Sequence, residues 1–167
     1  MTQSDRVLAH LASCFVALYR VLGAAAGSFG DDAAVVRSYE SARVFGELAL
    51  SVRTRLGEGA EPLEPLARVL ESAVRDDPTG WLSLTCLAVV AGPRLLVSLR
   101  DARDAVEAGD RGFIDHASDL VVSEIVAIRV LAAAREDLGA GPGPREVHAF
   151  NVALDDAGYA ESFGVGT

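Results

Sequence analysis

The stretch that decides the fold is FIDHASDLVVSEIVAIRVLAAAREDL, residues 113–138. Its apolar residues recur three, four and seven positions apart and nearly surround the axis, which predicts a largely buried helix. Glu124 lies at the middle of this helix among apolar neighbours. Because burying an ionised carboxylate costs several kcal/mol unless a partner neutralises it, Glu124 is the position most in need of an explanation.

The rest of the chain carries helix start and stop signals. Glycines follow the apolar periodic segments, and aspartate or proline precedes them. The expected helices run from about Ser4 to Ala26, from Asp31 to Leu56, from Pro62 to Arg75, from Asp77 to about Gly109, and from Asp110 to Gly139. Proline has no N–H to donate, so we expect the fourth helix to be kinked or split at Gly92-Pro93. A shorter helix is expected over 145–160, and no segment alternates as a strand would.

These patterns predict an all-α fold, a single-domain helical bundle of five main helices plus a short C-terminal helix. A chain of 167 residues suits one domain. Residues 1–138 form the expected bundle. Residues 139–167 begin with a Gly/Pro-rich linker and continue as a short helix and a tail, which we expect to pack on or near the bundle.

Composition limits the classes of function. The formal net charge is -9, which argues against a nucleic-acid partner because phosphate binding needs a basic surface. All 15 basic residues are arginine, which indicates a high-GC bacterial genome. A mean hydropathy of +0.27 is high for a soluble monomer, so we expect apolar surface to be covered in a homo-oligomer or by a protein partner.

Two apolar stretches, one near the N-terminus and one from Trp81 to Leu99, are not expected to cross a membrane. His10 and Arg20 interrupt the N-terminal run, which argues against a secretory signal. Gly92, Pro93 and Arg94 break the run from Trp81 to Leu99, so a buried core helix is expected there. With only two separated cysteines, these features favour a cytoplasmic protein.

Glu124 has three interpretations. A buried carboxylate with a raised pKa suits a ligand-binding group or a catalytic acid or base. A structural ion pair is the interpretation that we favour, and Arg20 is a natural candidate for the partner because its own helical neighbours are small or apolar. A position in a dimer interface would account both for Glu124 and for Arg129, which lies among apolar residues on the same helix.

Arg94 follows Pro93, whose missing N–H leaves the carbonyl of Val89 without its usual helical donor. A broken helix beside a guanidinium is a candidate anion or carboxylate site, although a simple kink produces the same sequence. We therefore include Arg94 with Glu124, Arg20 and Arg129 among the candidate ligand-binding residues.

Arg111 and His116, separated by four residues, resemble the Arg-x4-His motif of HEPN-type helical RNases. The resemblance covers residues 111–116 and implies an RNase in which these two side chains act on RNA. Gly112 differs from the polar residue usual at that position. The alternative is that His116 makes a surface hydrogen bond with Asp119 or caps the first turn.

Other constellations predict packing or solvated surface. The absence of any Glu-x-x-His pair argues against a di-iron bundle, so neither a metal nor another cofactor is expected. Cys14 is expected to be a packed thiol beside the partly exposed imidazole of His10. Arg37, Glu40, Arg43 and Glu47 are expected to form a solvated charged stripe.

The sequence thus predicts a non-catalytic module for protein assembly or for binding a small apolar ligand. One alternative is a small biosynthetic or modifying enzyme with Glu124 as acid or base in a pocket of the bundle core. A second is a HEPN-like RNase acting through Arg111 and His116. Whether the protein is an enzyme stays open at this point.

Overall fold

The computed structural model describes residues 1–57, 59–136 and 143–164. These residues form helices without any strand, which confirms the all-α class. The helices are α1 (Gln3–Ala26), α2 (Asp32–Leu56), α3 (Glu64–Arg75), α4 (Trp81–Cys86), α5 (Gly92–Ala105), α6 (Ala108–Glu136) and α7 (Pro144–Asp156), and a π-helical segment (Leu87–Ala91) joins α4 to α5.

Local sequence accounts for the start of α1 and for both ends of α2. The hydroxyl of Thr2 accepts from the backbone N–H of Asp5, whose carboxylate accepts in return, so α1 begins with a capping box. The carboxylate of Asp31 caps α2, and Gly57, with φ of 74°, closes it in the left-handed conformation that glycine adopts at low cost. Asp31 and Gly57 are signals from which α2 was predicted, whereas the capping box at Thr2 was not foreseen.

The expected break at Gly92-Pro93 is a change of helical register. The Gly92 N–H donates to the carbonyl of Leu87, five residues earlier, and the chain continues directly into α5. A Cβ added at Gly92 would lie 2.7 Å from the Ile125 side chain and 2.8 Å from the Leu87 carbonyl oxygen. Glycine therefore allows α6 to cross the chain closely at the register change.

One continuous core joins the described helices. The helix α1 packs along α2 and also contacts α3 and α5, while α6 packs on α5, α4, the π-helical segment and α2. The largest fully buried side chains are Trp81, Phe15, Phe45 and Phe163. The bundle therefore forms around α1, and α6, which carries Glu124, packs partly on α2.

The C-terminal segment packs on the bundle through α7 and the residues after it. Phe150 and Leu154 of α7 are buried in the shared core. The N–H of Phe163 donates to the Ser98 hydroxyl at 2.9 Å, and its carbonyl oxygen lies 2.9 Å from Nε2 of His10. Most of the predicted linker, residues 139–142, lies outside the described residues.

Two helical segments are long and apolar enough to cross a membrane by length and composition. They are α1 and the continuous stretch Trp81–Ala105, and 56% and 67% of the tested windows are buried inside the protein. Core helices of a bundle meet the same criterion.

Candidate functional site

Glu124 is buried and held by two side chains of α2. It is 9% exposed, and its Oε2 accepts from Nη2 of Arg37 at 2.7 Å and from the hydroxyl of Ser41 at 2.7 Å. The prediction that Arg20 neutralises Glu124 is wrong, because Arg20 is exposed on the outer side of α1. The helix that faces Glu124 is α2, so the guanidinium comes from there.

Arg37 is also a correction to the predicted charged stripe. Its side chain is only 12% exposed, and its Nη1 lies 3.1 Å from Oε2 of Glu40 in addition to the contact with Glu124. Arg43 and Glu47 behave as expected, since they pair at 2.6 Å with side chains 66% and 58% exposed. Arg37 is one helical turn before Ser41, so it turns toward α6 while Arg43 turns toward solvent.

The Glu124 carboxylate is thus mostly buried and bound through its Oε2. Glu124 lines none of four clefts formed by the described residues. A catalytic acid or base must reach the proton that it transfers, directly or through one water. This geometry favours the interpretation of Glu124 as a structural ion pair.

Arg94, which the sequence suggested as a binding site for an anion, pairs with a carboxylate of its own chain. Its Nη2 donates to Oδ1 of Asp155 at 2.6 Å and to Oδ1 of Asn151 at 3.1 Å, while the Arg94 side chain is almost fully buried. The guanidinium therefore joins α5 to α7, and this contact occupies the predicted anion site from inside the molecule.

Arg129 supplies the hydrogen bond that the helix break removes. The π register shifts the affected carbonyl by one residue, from the predicted Val89 to Ala88, whose donor five residues on would be Pro93. Nη2 of Arg129 donates to the Ala88 carbonyl at 3.2 Å. Arg129 therefore completes the backbone hydrogen bonding of the π-helical segment, which is a structural role.

A buried polar cluster that the sequence did not reveal lies at the start of α6. The carboxylate of Asp110 is buried, accepts from the hydroxyl of Ser4 and pairs with the half-exposed guanidinium of Arg55. It joins α6 to both α1 and α2. The available signal was an acidic residue in a first helical turn, which indicates a cap without naming its partners.

Arg135, near the other end of α6, contacts the start of α2. Its Nη2 lies 2.9 Å from Oδ2 of Asp31, and its guanidinium lies 5.7 Å from the centre of the Trp81 ring. Partial burial raises the pKa of Asp31, but the N–H of Ala34 and the charge of Arg135 more than offset this effect, so the pKa is lower than usual. This cluster fixes the packing of α2, α4 and α6.

The remaining candidates show no assembled reaction centre. Arg111 and His116 are both exposed near the start of α6. Cys14 and Cys86 are buried, and desolvation raises the pKa of each thiol to about 12. Within the described residues no three histidine, cysteine, aspartate or glutamate side chains gather in a way that would hold a metal ion.

A long open groove runs between α1 and α2 on the side away from the core. It consists of three neighbouring depressions of about 320, 500 and 720 Å³ that share lining residues. Its floor is made of buried or half-buried small residues: Ala9, Ala12, Gly23, Ala42, Gly46 and Ala49. Exposed aromatic, aliphatic and basic side chains line its edges: Tyr19, Tyr39, Leu50, Arg20, Arg43 and Arg53. We call this surface the α1/α2 groove.

Among the candidate ligand-binding residues, Arg20 lines the α1/α2 groove. The Tyr19 ring lies over Gly46, since a Cβ added there would be 3.0 Å from the ring. Arg20 and Arg53 make no ion pair among the described residues, in contrast to the buried arginines. The groove therefore combines uncommitted charge with exposed apolar and aromatic area.

Comparisons of the chain with protein-family models, with curated proteins and with solved structures find no match.

Proposed function

We propose that this protein is a non-catalytic assembly module that binds a helical segment of a protein in the α1/α2 groove. The observation that supports this proposal is the contrast between the two sets of polar residues. Glu124 and Arg94 are buried and bound inside the fold, and Arg129 is exposed but donates to the Ala88 carbonyl. Arg20 and the tyrosines are presented to solvent beside a floor of small side chains.

The shape of the groove favours a protein over a small ligand as its occupant. Small-molecule sites bury most of the ligand in a concave pocket, whereas these depressions are open and continue along two helices. Small residues let another helix approach closely, and tyrosine and arginine are the residue types that most often dominate binding energy at protein interfaces. A cytoplasmic location and the absence of nucleic-acid and membrane partners remain predictions from the sequence.

Site-specific photocrosslinking in cells tests the proposed function. A photoreactive residue at Leu50 in the groove is compared with one at Val152, which is also exposed but lies on α7. We expect one defined protein adduct at Leu50, absent at Val152 and lost when Arg20→Glu is added. If Leu50 gives no adduct, or the same adducts as Val152, the groove is not an assembly surface.

The enzyme alternatives have their own measurements. If Glu124 were a catalytic acid or base, Glu124→Gln would leave stability unchanged and abolish turnover. If Arg111 and His116 formed an RNase centre, purified protein would cleave RNA and His116→Ala would not. Glu124 is 9% exposed and bound to Arg37 and Ser41, which does not favour the first alternative, so the assembly function is the one supported best.

A further inference from the structure

The segment after α7 is anchored to the bundle by one phenylalanine. Residues 157–164 form no helix, and we call them the strap. Phe163 is 1% exposed, whereas Ala160, Glu161 and Gly164 around it are exposed. Phe163 is the one residue of the strap that is fully buried. The strap therefore lies on the surface and inserts a single large side chain into the core.

Side chains of the bundle bind both backbone groups of Phe163. Its N–H donates to the hydroxyl of Ser98 on α5 at 2.9 Å, and its carbonyl oxygen accepts from Nε2 of His10 on α1 at 2.9 Å. Ser98 is fully buried, and its hydroxyl hydrogen is used in a bond to the Arg94 carbonyl, so its oxygen is free to accept. We call this arrangement the Phe163 site. Hydrogen bonds to the main chain combined with a pocket for one side chain are the means by which proteins recognise peptides.

The strap depends on the Phe163 site because few other contacts hold it. Among the described residues, the hydrogen bonds that residues 160–164 make to the bundle are the two at Phe163. The half-buried Tyr159 packs edge-on against Phe163, with ring centres 5.4 Å apart, but it belongs to the strap itself. A segment with so few buried contacts opens locally while the rest of the protein stays folded.

We propose that the Phe163 site is a peptide-recognition site which the strap occupies as an internal ligand, and that a phenylalanine-bearing segment of a partner protein displaces the strap. The partner's phenylalanine must lie in irregular chain, because the N–H and C=O groups inside a helix or a paired strand are already bonded. The site is separate from the α1/α2 groove, since His10, Ser98 and Phe163 line none of the three depressions of the groove. The inference therefore goes beyond the proposed function and does not rest on it.

Competition with the strap regulates this binding. A partner binds only while the strap is open, so its apparent dissociation constant is the intrinsic value divided by the open fraction of the protein. Any change that weakens the anchor at Phe163 should therefore strengthen binding of a peptide supplied from outside. A purely structural phenylalanine predicts no such gain.

Binding of a synthetic peptide to the full-length chain tests the proposal. The probe is a fluorescein-labelled peptide with the sequence of residues 157–164, and the control peptide has alanine in place of its phenylalanine. The protein carries Phe163→Ala, which removes the internal anchor. Fluorescence anisotropy should show that this variant binds the probe at least about tenfold more tightly than the wild type does, and at least about tenfold more tightly than it binds the control peptide.

A matched pair of serine changes, each added to Phe163→Ala, locates the bound probe. Ser98→Ala removes the acceptor for the phenylalanine N–H and should weaken binding of the probe by about three- to tenfold. Ser118→Ala is the control, because the Ser118 hydroxyl also donates to the carbonyl four residues before it but lies on α6. It should leave the affinity for the probe unchanged.

Amide hydrogen exchange of the wild type measures whether the strap opens alone. The Phe163 N–H should exchange faster than the buried amides of α1 and α5, because opening of the strap leaves those helices intact. The inference is overturned if the Phe163 N–H exchanges only as fast as those amides, if Phe163→Ala unfolds the chain, or if the variant binds the probe no better than the wild type does or no better than it binds the control peptide. Any of these results would make Phe163 an ordinary core residue and would leave the α1/α2 groove, tested by crosslinking at Leu50, unaffected.

Discussion

Replacing Arg37 by methionine removes the guanidinium that neutralises the buried Glu124. The two side chains are 12% and 11% exposed and 2.7 Å apart. Removing one partner of a buried pair costs about 3–5 kcal/mol, and the Ser41 hydroxyl still binds the same carboxylate oxygen, so we expect about 3 kcal/mol. For a chain of this size that loss lowers Tm by about 6–12 °C.

The reverse deletion is expected to cost less. In Glu124→Gln the guanidinium of Arg37 keeps a second carboxylate, Glu40, at 3.1 Å, and the new amide still accepts a hydrogen bond. We expect a loss of about 1.5 kcal/mol. Combining Arg37→Met with Glu124→Leu should recover most of the stability, because no uncompensated charge then stays buried.

Urea unfolding and thermal melting, both followed by circular dichroism, measure these changes. The control is Arg43→Met, which deletes the same guanidinium from the exposed pair with Glu47 and should cost under about 0.5 kcal/mol. If Arg37→Met were no more destabilising than Arg43→Met, the pair with Glu124 would not be a buried structural contact. The interpretation of Glu124 would then reopen.

Three further changes follow from the same structure. Arg94→Met should speed amide exchange throughout α7 by breaking its bonds to α5, with little effect on α2. Asp31→Asn should be destabilising at pH 7, and because the folded pKa of Asp31 is lowered, this difference should disappear as pH falls below about 4, through the folded pKa. Gly92→Ala should cost about 1–3 kcal/mol by colliding with Ile125, whereas Gly112→Ala, with open space around it, should stabilise α6 by about 0.5–1 kcal/mol, both measured by urea unfolding.

Sequence periodicity identified Glu124 as buried but named the wrong partner. A carboxylate surrounded by apolar positions on its own helix signals burial whatever lies opposite. The opposing face of α2 contains Ser38 and Ser41, so it shows little apolar periodicity and gives no signal that Arg37 turns inward. The identity of a partner depends on which helices meet, and that is a tertiary property.

The break before Pro93 was predictable, but its form was not. A missing N–H can be accommodated by a kink, by a split helix or by one wider turn. The wider turn is possible because Gly92 allows α6 to approach and Arg129 reaches the orphan carbonyl of Ala88. The close approach at Gly92 and the hydrogen bond to Ala88 both involve α6, which begins 16 residues after Gly92. Local sequence therefore could not choose among the three forms.

The buried polar contacts explain why the functional surface is expected on the outside. Arg37 with Glu124 joins α2 to α6, Arg94 with Asp155 joins α5 to α7, and the Asp110 cluster joins α6 to α1 and α2. Surfaces rich in alanine, valine and leucine pack adequately in several registers, and a buried charge that must meet its partner disfavours all registers but one. Glu124, Arg94 and Asp110 thereby hold helices in place, while Arg20 in the α1/α2 groove makes no ion pair among the described residues. Exposing the apolar and aromatic side chains of the α1/α2 groove to water is unfavourable, and a partner bound in the groove would remove that cost.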